Sequence, residues 1–315
     1  MRIFAAVFLP AAVFALNAGR ARADSGLTGA PILTRPIGAR SSGMGRSFTA
    51  VAGGAESLMY NPAGPGFAPR SEAYLAYMNG LGGGGYGLAA APLKLGTFVL
   101  TPAFLYYNSG EINLNLSDGT QGAVTAELDK VVMLSGAFLS GPRLALGGTV
   151  KFTSINLAET ASASARHFDL GLLYRVTEAL NFGAASLNNG DAVKFEEQGA
   201  PAPATLRSGL AYKVALDLPN LLDRSADVTY SDIFLTSDWS RTVKEKGYFQ
   251  AGFEMNMELS GMVMLRLRAG YLFDRPEENL TFGLGIQKGQ WNFSFGYEAS
   301  KDLNVRYPVS LTRGF

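Results

Sequence analysis

The sequence predicts an all-β protein, an antiparallel transmembrane β-barrel of about 14 strands. Three observations support this fold class. Apolar residues recur at every second position from about residue 70 onward, about 14 segments have this period, and the alternate positions hold mostly small residues with few charges. Glycine supplies 38 of the 315 residues, well above the average of roughly 7%, so much of the backbone turns or packs closely.

The composition excludes several classes of function. Lys and Arg number 27 against 26 Asp and Glu, a net charge of +1, so no basic surface for nucleic acid is expected. The chain has no cysteine and one histidine, which excludes disulfides, thiol catalysis, sulfur metal ligands and sites of two histidines. We therefore expect no cofactor and no metal site.

Residues 1–23 have the pattern of a secretory signal peptide. Arg2 precedes an apolar run over residues 3–16, and residues 21–23 read Ala-Arg-Ala, an A-x-A cleavage pattern. The run is shorter than the roughly 20 residues of a membrane-spanning helix; an uncleaved anchor or a buried helix is the alternative. Cleavage after Ala23 predicts an exported protein.

The strands follow in residues 70–315. Residues 291–298 alternate four aromatic residues with small or polar ones, and residues 280–287 alternate Leu, Phe, Leu and Ile with Thr, Gly, Gly and Gln. In chain order the predicted strands are 71–79, 84–92, 96–108, 127–140, 143–155, 164–175, 179–187, 204–215, 226–235, 247–257, 262–273, 279–287, 290–299 and 305–315.

The connections between these strands alternate in length. Those at 140–142, 177–178 and 288–289 are short, whereas those near 109–126, 188–203 and 237–246 are long. Short turns on one side and long loops on the other are typical of a membrane barrel. The connection at 216–225 is long on the side that should be short.

The face between the apolar positions distinguishes a membrane barrel from a soluble sandwich. It is rich in Gly, Ala, Ser and Thr, which suits a lumen better than bulk solvent. Tyr307, Val309, Leu311 and Phe315 share one parity at the end of the chain, as in the last strand of outer-membrane barrels, and Arg313 departs from that pattern. We therefore expect the outer membrane of a diderm bacterium as the location, with its lipid and its barrel-assembly machinery as partners.

Two segments before the first strand resemble a known family. Residues 38–45 read Gly-Ala-Arg-Ser-Ser-Gly-Met-Gly, and residues 50–64 run from Ala-Val-Ala-Gly-Gly to Asn-Pro-Ala-Gly. They are similar to the N-terminal region of the FadL-like superfamily of outer-membrane β-barrels, most of all to its PorV/PorQ branch. Residues 168–175, 206–212 and 280–285 are similar to that branch as well.

The resemblance implies a 14-stranded barrel whose N-terminal segment, residues 24–69, folds into the lumen as a hatch, with residues 70–315 forming the barrel. FadL-like members pass hydrophobic small molecules and release them sideways at the third strand. PorV-like members instead receive secreted cargo proteins in type IX secretion. By resemblance, the hatch and ligand path would include Gly43, Met44, Gly45, Asn61, Pro62, Ala63 and Gly64.

Two function classes therefore stay open: a channel or binding barrel for a hydrophobic small molecule, and a barrel that handles secreted protein. An outer-membrane enzyme is a third, based on His167 and Asp169, which share the predicted lumen face. No G-x-S-x-G nucleophile elbow accompanies them, so a hydrogen-bonded lumenal histidine is favoured and the protein is expected not to be an enzyme. The G-x-G-x-x-G match at residues 82–87 is expected to be a hairpin loop, since no helix follows it.

Two ion pairs are predicted across the lumen face. Glu254 and Arg266 lie opposite one another if their hairpin is centred on Ser260, and Lys151 and Asp169 do so about Thr160. In a wet lumen each pair is worth no more than about 1 kcal/mol.

Pro102 lies in the middle of the third predicted strand, where it has no N–H for the ladder. A small bulge, or a missing donor that points away from the neighbouring strand, would accommodate it. The alternative is a kink that opens the wall as a lateral gate.

Overall fold

The computed structural model describes residues 28–35, 37–80, 83–115, 121–197, 199–218, 229–260, 263–275, 278–300 and 305–315. The predicted signal peptide at 1–23 and most of the connection at 216–225 lie outside these residues. Nineteen strands occur in the described chain. They are β1 (Glu72–Asn79), β2 (Gly85–Ala90), β3 (Leu93–Leu95), β4 (Phe98–Asn108), β5 (Glu111–Asn115), β6 (Gln121–Thr125), β7 (Glu127–Ser140), β8 (Leu144–Leu157), β9 (Ala161–Arg175), β10 (Leu180–Gly190), β11 (Val193–Lys194), β12 (Gly199–Ala200), β13 (Thr205–Leu218), β14 (Thr229–Thr242), β15 (Tyr248–Ser260), β16 (Val263–Leu272), β17 (Leu280–Lys288), β18 (Trp291–Glu298) and β19 (Val309–Gly314).

Fourteen of these strands form one closed antiparallel barrel, with β3 as an additional short strand on β4. Each barrel strand pairs with its sequence neighbours, β2 pairs with β4, and β1 pairs with β19 to close the ring. The loop strands form two separate hairpins, β5–β6 and β11–β12. Because the ring is closed, no barrel strand has an unpaired edge. A strand that faces lipid needs this, since lipid offers no partner for unpaired backbone groups.

The side chains divide sharply between the two faces of the wall. Large apolar residues are exposed on the outside, as with Leu75, Phe152, Leu170 and Phe293, which are all more than 50% exposed. Their neighbours in the chain point inward and are small, polar or packed. An exterior apolar belt of this size is typical of a protein that faces lipid, and it confirms the period of two predicted from the sequence.

The barrel has two distinct ends. The end at which β1 begins and β19 finishes, where Phe315 N donates to Ser71 O over 3.0 Å, is here called the terminal end. Short turns such as 141–143 and 289–290 connect strands there. The opposite end, here called the loop end, has the longer connections, including those that contain β5–β6 and β11–β12.

The chain before β1 is built from short helical turns. These are 3-10 helices at Pro31–Thr34, Ala55–Met59 and Gly64–Phe67 and one α-helix, α1 (Ala39–Gly43). In the part of the chain that the structure describes, no helix is both long and apolar enough to cross a membrane.

Candidate functional site

The segment before β1 lies inside the barrel. We call residues 37–69 the plug and residues 28–35 the lead segment. Gly45 (φ +63°), Gly53 (φ +80°) and Gly54 (φ +81°) adopt left-handed backbone conformations that suit glycine and fold the plug back on itself. Nearly all plug side chains are buried, so the interface between plug and wall is the candidate functional site.

Glycines on the inner face of the wall make room for the plug backbone. A Cβ at Gly147 would overlap Pro62 O, one at Gly183 would overlap Thr49 O, and one at Gly270 would overlap Gly45 N. Gly147 and Gly183 lie on β8 and β10, which β9 separates, whereas Gly270 lies on β16, four strands beyond β10. The plug therefore touches the wall on more than one side. The glycine-rich inner face therefore serves close backbone packing rather than an open lumen.

Asn61 joins the plug to the wall. Its Nδ2 donates to Thr49 O within the plug and to Leu172 O of β9, both over 2.9 Å, while Oδ1 accepts from Ala63 N over 3.0 Å. The side chain is fully buried. Pro62 lies against Gly147 of β8, and Gly64 N donates to Asn61 O over 2.9 Å, so residues 61–64 form one tight turn against the wall.

Residues 43–45 contact the opposite side of the ring. A Cβ on Gly43 would lie 2.9 Å from Gly283 Cα, and Gly45 N donates to Thr281 Oγ1 of β17 over 3.0 Å. Met44 between them is fully buried. The structure thus brings both sequence-predicted hatch motifs against the wall. Their role as a ligand path stays a prediction.

A buried triad of charges connects α1 to β15 and β16. Glu254 accepts from Arg40 Nη2 over 2.7 Å and from Arg268 Nε over 2.7 Å. Burial alone would lower the pKa of Arg40, but the surrounding carboxylates, Glu254 above all and then Glu56 and Asp232, together hold the pKa above its ordinary value, so the guanidinium stays charged. Removing one member of such a triad would leave a buried charge without its partner.

The predicted ion pair between Glu254 and Arg266 is wrong. The hairpin is centred one residue beyond Ser260, so Arg268 lies opposite Glu254 and Asn256 lies opposite Arg266. Both predicted residues face the interior, but Arg266 donates instead to the amide oxygens of Asn256 over 3.1 Å, of Asn292 over 2.8 Å and of Gln287. The sequence prediction assumed a turn centred on Ser260. A centre one residue further along moves the partner of Glu254 by two residues, from Arg266 to Arg268.

Asp238 of β14 binds the plug where its backbone bends, at residues 48–49. Its Oδ2 accepts from the backbone N–H groups of Phe48 and Thr49, both over 2.9 Å, and from Thr49 Oγ1 over 2.6 Å. Arg207 of β13 pairs with the same oxygen over 3.1 Å and donates to Arg46 O over 2.8 Å. One carboxylate therefore satisfies three plug donors, while Arg207 of the wall balances its charge.

A second ionic network lies toward the loop end. Arg46 Nη2 pairs with Glu298 of β18 over 2.5 Å, and its Nη1 pairs with Glu278 over 3.3 Å. Arg306 pairs with both of these carboxylates. Since Glu278 and Arg306 belong to the connections after β16 and β18, this network links the plug to two loops.

The predicted ion pair between Lys151 and Asp169 is confirmed, with Nζ 2.8 Å from Oδ2. The pair is diagonal, because Lys151 lies opposite His167 and Asp169 lies opposite Thr149. Both residues are less than 5% exposed, so the expected wet lumen is wrong at this point.

His167 lies on the inner face and its Nδ1 is 3.2 Å from Thr153 Oγ1. The carboxylate of Asp169 contacts Lys151 Nζ and accepts from Asn188 N over 2.7 Å. The Asp169 carboxylate thus contacts Lys151 and Asn188. In a catalytic pair the carboxylate would instead contact the imidazole of His167 and orient it.

The interior has two chemically different sides. Most buried charged and polar residues of the barrel wall lie on β13–β18, which we call the polar sector; Asp129 of β7, Lys151 of β8 and Asp169 of β9 are buried outside it. Buried apolar residues cluster on β1, β2, β4 and β7 and on the loop-end parts of β8 and β9, which we call the apolar sector. Its members include Met78, Leu88, Leu105, Val131, Met133, Ile155, Ala163 and Ala165.

The lead segment fills the apolar sector. Its Ala30, Ile32 and Leu33 belong to the same buried apolar cluster as the wall residues of that sector. Ile37 and Tyr60 of the plug belong to that cluster as well. Polar contacts of the lead segment are few: Asn188 Nδ2 donates to Leu33 O over 3.2 Å, and Gly29 N donates to Pro201 O over 2.9 Å. Its attachment is therefore mainly apolar, whereas the plug combines apolar packing with buried charges and hydrogen bonds.

Two cavities lie on either side of the plug. The larger, about 630 Å³, opens toward the terminal end and includes Arg40, Glu254 and Arg266 in its lining. The smaller, about 170 Å³, lies toward the loop end and includes Arg46, Glu278 and Arg306. Each cavity thus reaches one of the two charge networks.

Pro102 lies at the junction of β2, β3 and β4 and faces outward. The pairing of β4 with β7 continues through it without a register shift. On the other side Ala91 N donates to Pro102 O over 3.0 Å. The return bond, from residue 102 to Ala91 O, is the one that proline cannot make. The wall stays paired on both sides in this conformation, and the lateral gate stays a prediction.

Sequence analysis missed several residues of this site. Arg40 and Arg46 lie within or beside the motif at 38–45, and their charge in a segment otherwise small and apolar was the available signal. Arg268 shares the parity of Arg266. Asp238 lay in a predicted loop, because β14 extends to Thr242, beyond the expected end at 235.

The fold of the chain matches solved structures. The toluene transporter TodX of Pseudomonas putida superposes with a TM-score of 0.58 at 13% identity, covering 89% of this chain and 98% of that one. The monoaromatic hydrocarbon channel CymD gives 0.55 at 12% identity, with 89% and 97% covered. A FadL homologue of Pseudomonas aeruginosa gives 0.52 at 9% identity, with 89% and 98% covered. This chain shares their fold. No protein-family model and no curated protein sequence matches it.

Proposed function

We propose that the protein is a non-enzymatic channel of the outer membrane that passes a hydrophobic small molecule. The observation that carries the proposal is the apolar sector, a mainly apolar strip along one side of the interior, filled by apolar side chains of the lead segment and of the plug. An apolar solute needs such a strip, because a path lined by charges would not desolvate it favourably. TodX and CymD, whose fold it shares, are described as a toluene transporter and a monoaromatic hydrocarbon channel.

The short turns of the terminal end support an orientation in which that end faces the periplasm. A solute would enter from the loop end and replace Ile32 and Leu33 in the apolar sector. The lead segment is the part to move, since its contacts are mainly apolar, while the plug is attached by buried ion pairs that are costly to break. Exit sideways at the third barrel strand, β4, follows from the family resemblance.

Uptake of radiolabelled toluene into cells that express the protein tests the proposal. In the variant Met133→Gln a side chain of similar size makes the apolar sector polar, and uptake is expected to fall several-fold. The control Thr236→Val changes a residue of the polar sector whose hydroxyl has no partner among the described residues, and it should transport normally. Equal uptake by all three proteins and by cells without the protein would contradict a hydrocarbon channel.

Handling of secreted protein, the second function class from the sequence, has no specific structural observation in its favour, so the channel is the proposal we carry forward.

A further inference from the structure

Three outward-facing side chains form a row across β17, β18 and β19 at the terminal end. Lys288 lies opposite Trp291, and Trp291 lies opposite Arg313. The Trp291 side chain is 49% exposed, and the Arg313 guanidinium lies 5.2 Å from the centre of its ring. Two cations thus flank one indole, about 10 Å apart across two strand spacings. Arg313 is the residue that departs from the apolar pattern of the last strand.

The charges of this row are not balanced by carboxylates. Among the described residues, neither Lys288 nor Arg313 has an ion pair. Glu72 of the adjoining strand β1 turns inward, where it accepts from Ala55 N over 2.5 Å. By contrast Arg166, an outward-facing cation of β9, pairs with Asp191 over 3.4 Å. The row is therefore a local excess of positive charge on the outer surface.

The surface next to the row toward the barrel centre is apolar. The next outward-facing row, two residues further along each strand, is Ile286, Phe293 and Leu311, which are 47%, 51% and 39% exposed. A step of two residues is about 7 Å along a strand. Polarity thus changes from cations and an indole at the rim to hydrocarbon within one step, as it does along a phospholipid from headgroup to acyl chain.

We propose that this surface binds an anionic phospholipid, with the phosphate between Lys288 and Arg313 and an acyl chain along Phe293. Indole rings favour the interface between headgroups and hydrocarbon, and cations at that depth attract anionic headgroups. The proposal rests on the membrane location proposed above and is independent of the transported molecule.

Native mass spectrometry of the detergent-solubilised protein tests the site. The probes are phosphatidylglycerol and phosphatidylcholine with identical acyl chains, and glycerol phosphate as a headgroup without chains. The double variant Lys288→Gln/Arg313→Gln should bind phosphatidylglycerol about fivefold more weakly for each cation removed, with phosphatidylcholine unchanged. The matched control Lys130→Gln/Arg166→Gln removes two outward-facing cations near the loop end and should bind as the wild type does.

Equal phosphatidylglycerol binding by the wild type and the double variant would overturn the proposal, as would an equal loss in the control. Binding of glycerol phosphate as tight as that of the lipid would assign a free-anion site instead. As a second measurement, brominated phosphatidylglycerol should quench Trp291 fluorescence more than brominated phosphatidylcholine in a Trp239→Phe background, and equal quenching would count against the site. Toluene uptake by the double variant should be normal, so a failure of the channel proposal is distinguishable from a failure of this one.

Discussion

Asn61 shows how much of the plug attachment depends on single side chains. Its amide makes three hydrogen bonds, two inside the plug and one to β9, in a position without access to water. A buried carbonyl that loses its donor is costly, because nothing replaces the lost bond. The three bonds together fix the turn at 61–64 against one strand of the wall.

Substituting Asn61→Asp should loosen the plug. The carboxylate keeps the shape but presents oxygen to the carbonyls of Thr49 and Leu172, so seating of the plug should be weakened by about 3 kcal/mol. Hydrogen–deuterium exchange of residues 39–67 measures this. In the control, Asn181→Asp removes a single long bond of 3.4 Å to Ala50 O and should have a much smaller effect. Equal protection in the two variants would contradict the role given to Asn61.

A glycine-to-alanine substitution tests whether the plug needs the space that a wall glycine leaves. Gly270→Ala places a Cβ onto the backbone of Met44 and Gly45, where neither side can move without unseating the plug. Limited proteolysis should cleave residues 39–67 in this variant and spare them in the wild type. Gly87→Ala is the matched control, since a Cβ there meets nothing within 4 Å. If the plug of the Gly270→Ala protein resists proteolysis, the wall moves to accommodate the added methyl group and the plug stays in place.

At the scale of elements, α1 and the bend after it are held by charges from three directions. Arg40 reaches Glu254 of β15, Arg46 reaches Glu298 of β18, and Asp238 of β14 receives residues 48–49. Buried ion pairs add little net stability relative to apolar packing, but they are costly to break. Their arrangement therefore specifies one position of the plug.

Glu254→Gln should release this attachment. Two guanidinium groups, the buried Arg268 and the partly exposed Arg40, would lose their common carboxylate. The cost should be about 3 kcal/mol, the low end of the range for a broken buried pair. Single-channel recordings in planar bilayers are expected to show larger and more frequent openings than in the wild type. The control Asp191→Asn breaks an exposed pair, worth less than about 1 kcal/mol, and should conduct as the wild type does. Unchanged conductance for Glu254→Gln would show that the triad does not hold the plug.

Pro102→Val tests the lateral gate at the third barrel strand. Valine supplies the N–H that would donate to Ala91 O, so the seam between β2 and β4 should be stronger by about 1 kcal/mol. The barrel should then unfold at a higher temperature, and toluene uptake should be lost if solute leaves through this seam. Normal uptake by a folded Pro102→Val protein would contradict the lateral gate. Pro102 would then be a proline that the sheet tolerates where the pairing of β2 with β4 ends.

At the scale of the whole molecule, the division between apolar and polar sectors predicts which part moves. The lead segment should leave while the plug stays. The chain has no cysteine, so an engineered pair is unambiguous. In Gly66→Cys/Ala137→Cys the two Cβ atoms would be 3.5 Å apart, within the range of a disulfide. The oxidised protein should still transport toluene. Transport only after reduction would show that the plug itself must move.

The barrel was predictable because lipid imposes a period of two on every strand. All 14 barrel strands occur where the alternation of apolar and small residues indicated them. Their exact pairing was less predictable: the centre of the hairpin between β15 and β16 depends on a local turn, which alternation does not encode. The partners of the plug could not be read from the sequence, because Arg40 and Glu254 are 214 positions apart and belong to no shared pattern.

That separation has a consequence for how the chain is assembled. Arg46 meets Glu298 across 252 positions, so a segment near the start of the chain completes its contacts only when the strands near the end are in place. Until then the long loop between Arg46 and Glu298 is entropically unfavourable to close. The plug, whose charged side chains are buried in the folded protein, stays in water. The seam between β1 and β19 directly follows the end of the plug in the chain, so the ring must close around a segment that already lies inside it. Folding of the barrel and threading of its own N-terminal chain are thus one event.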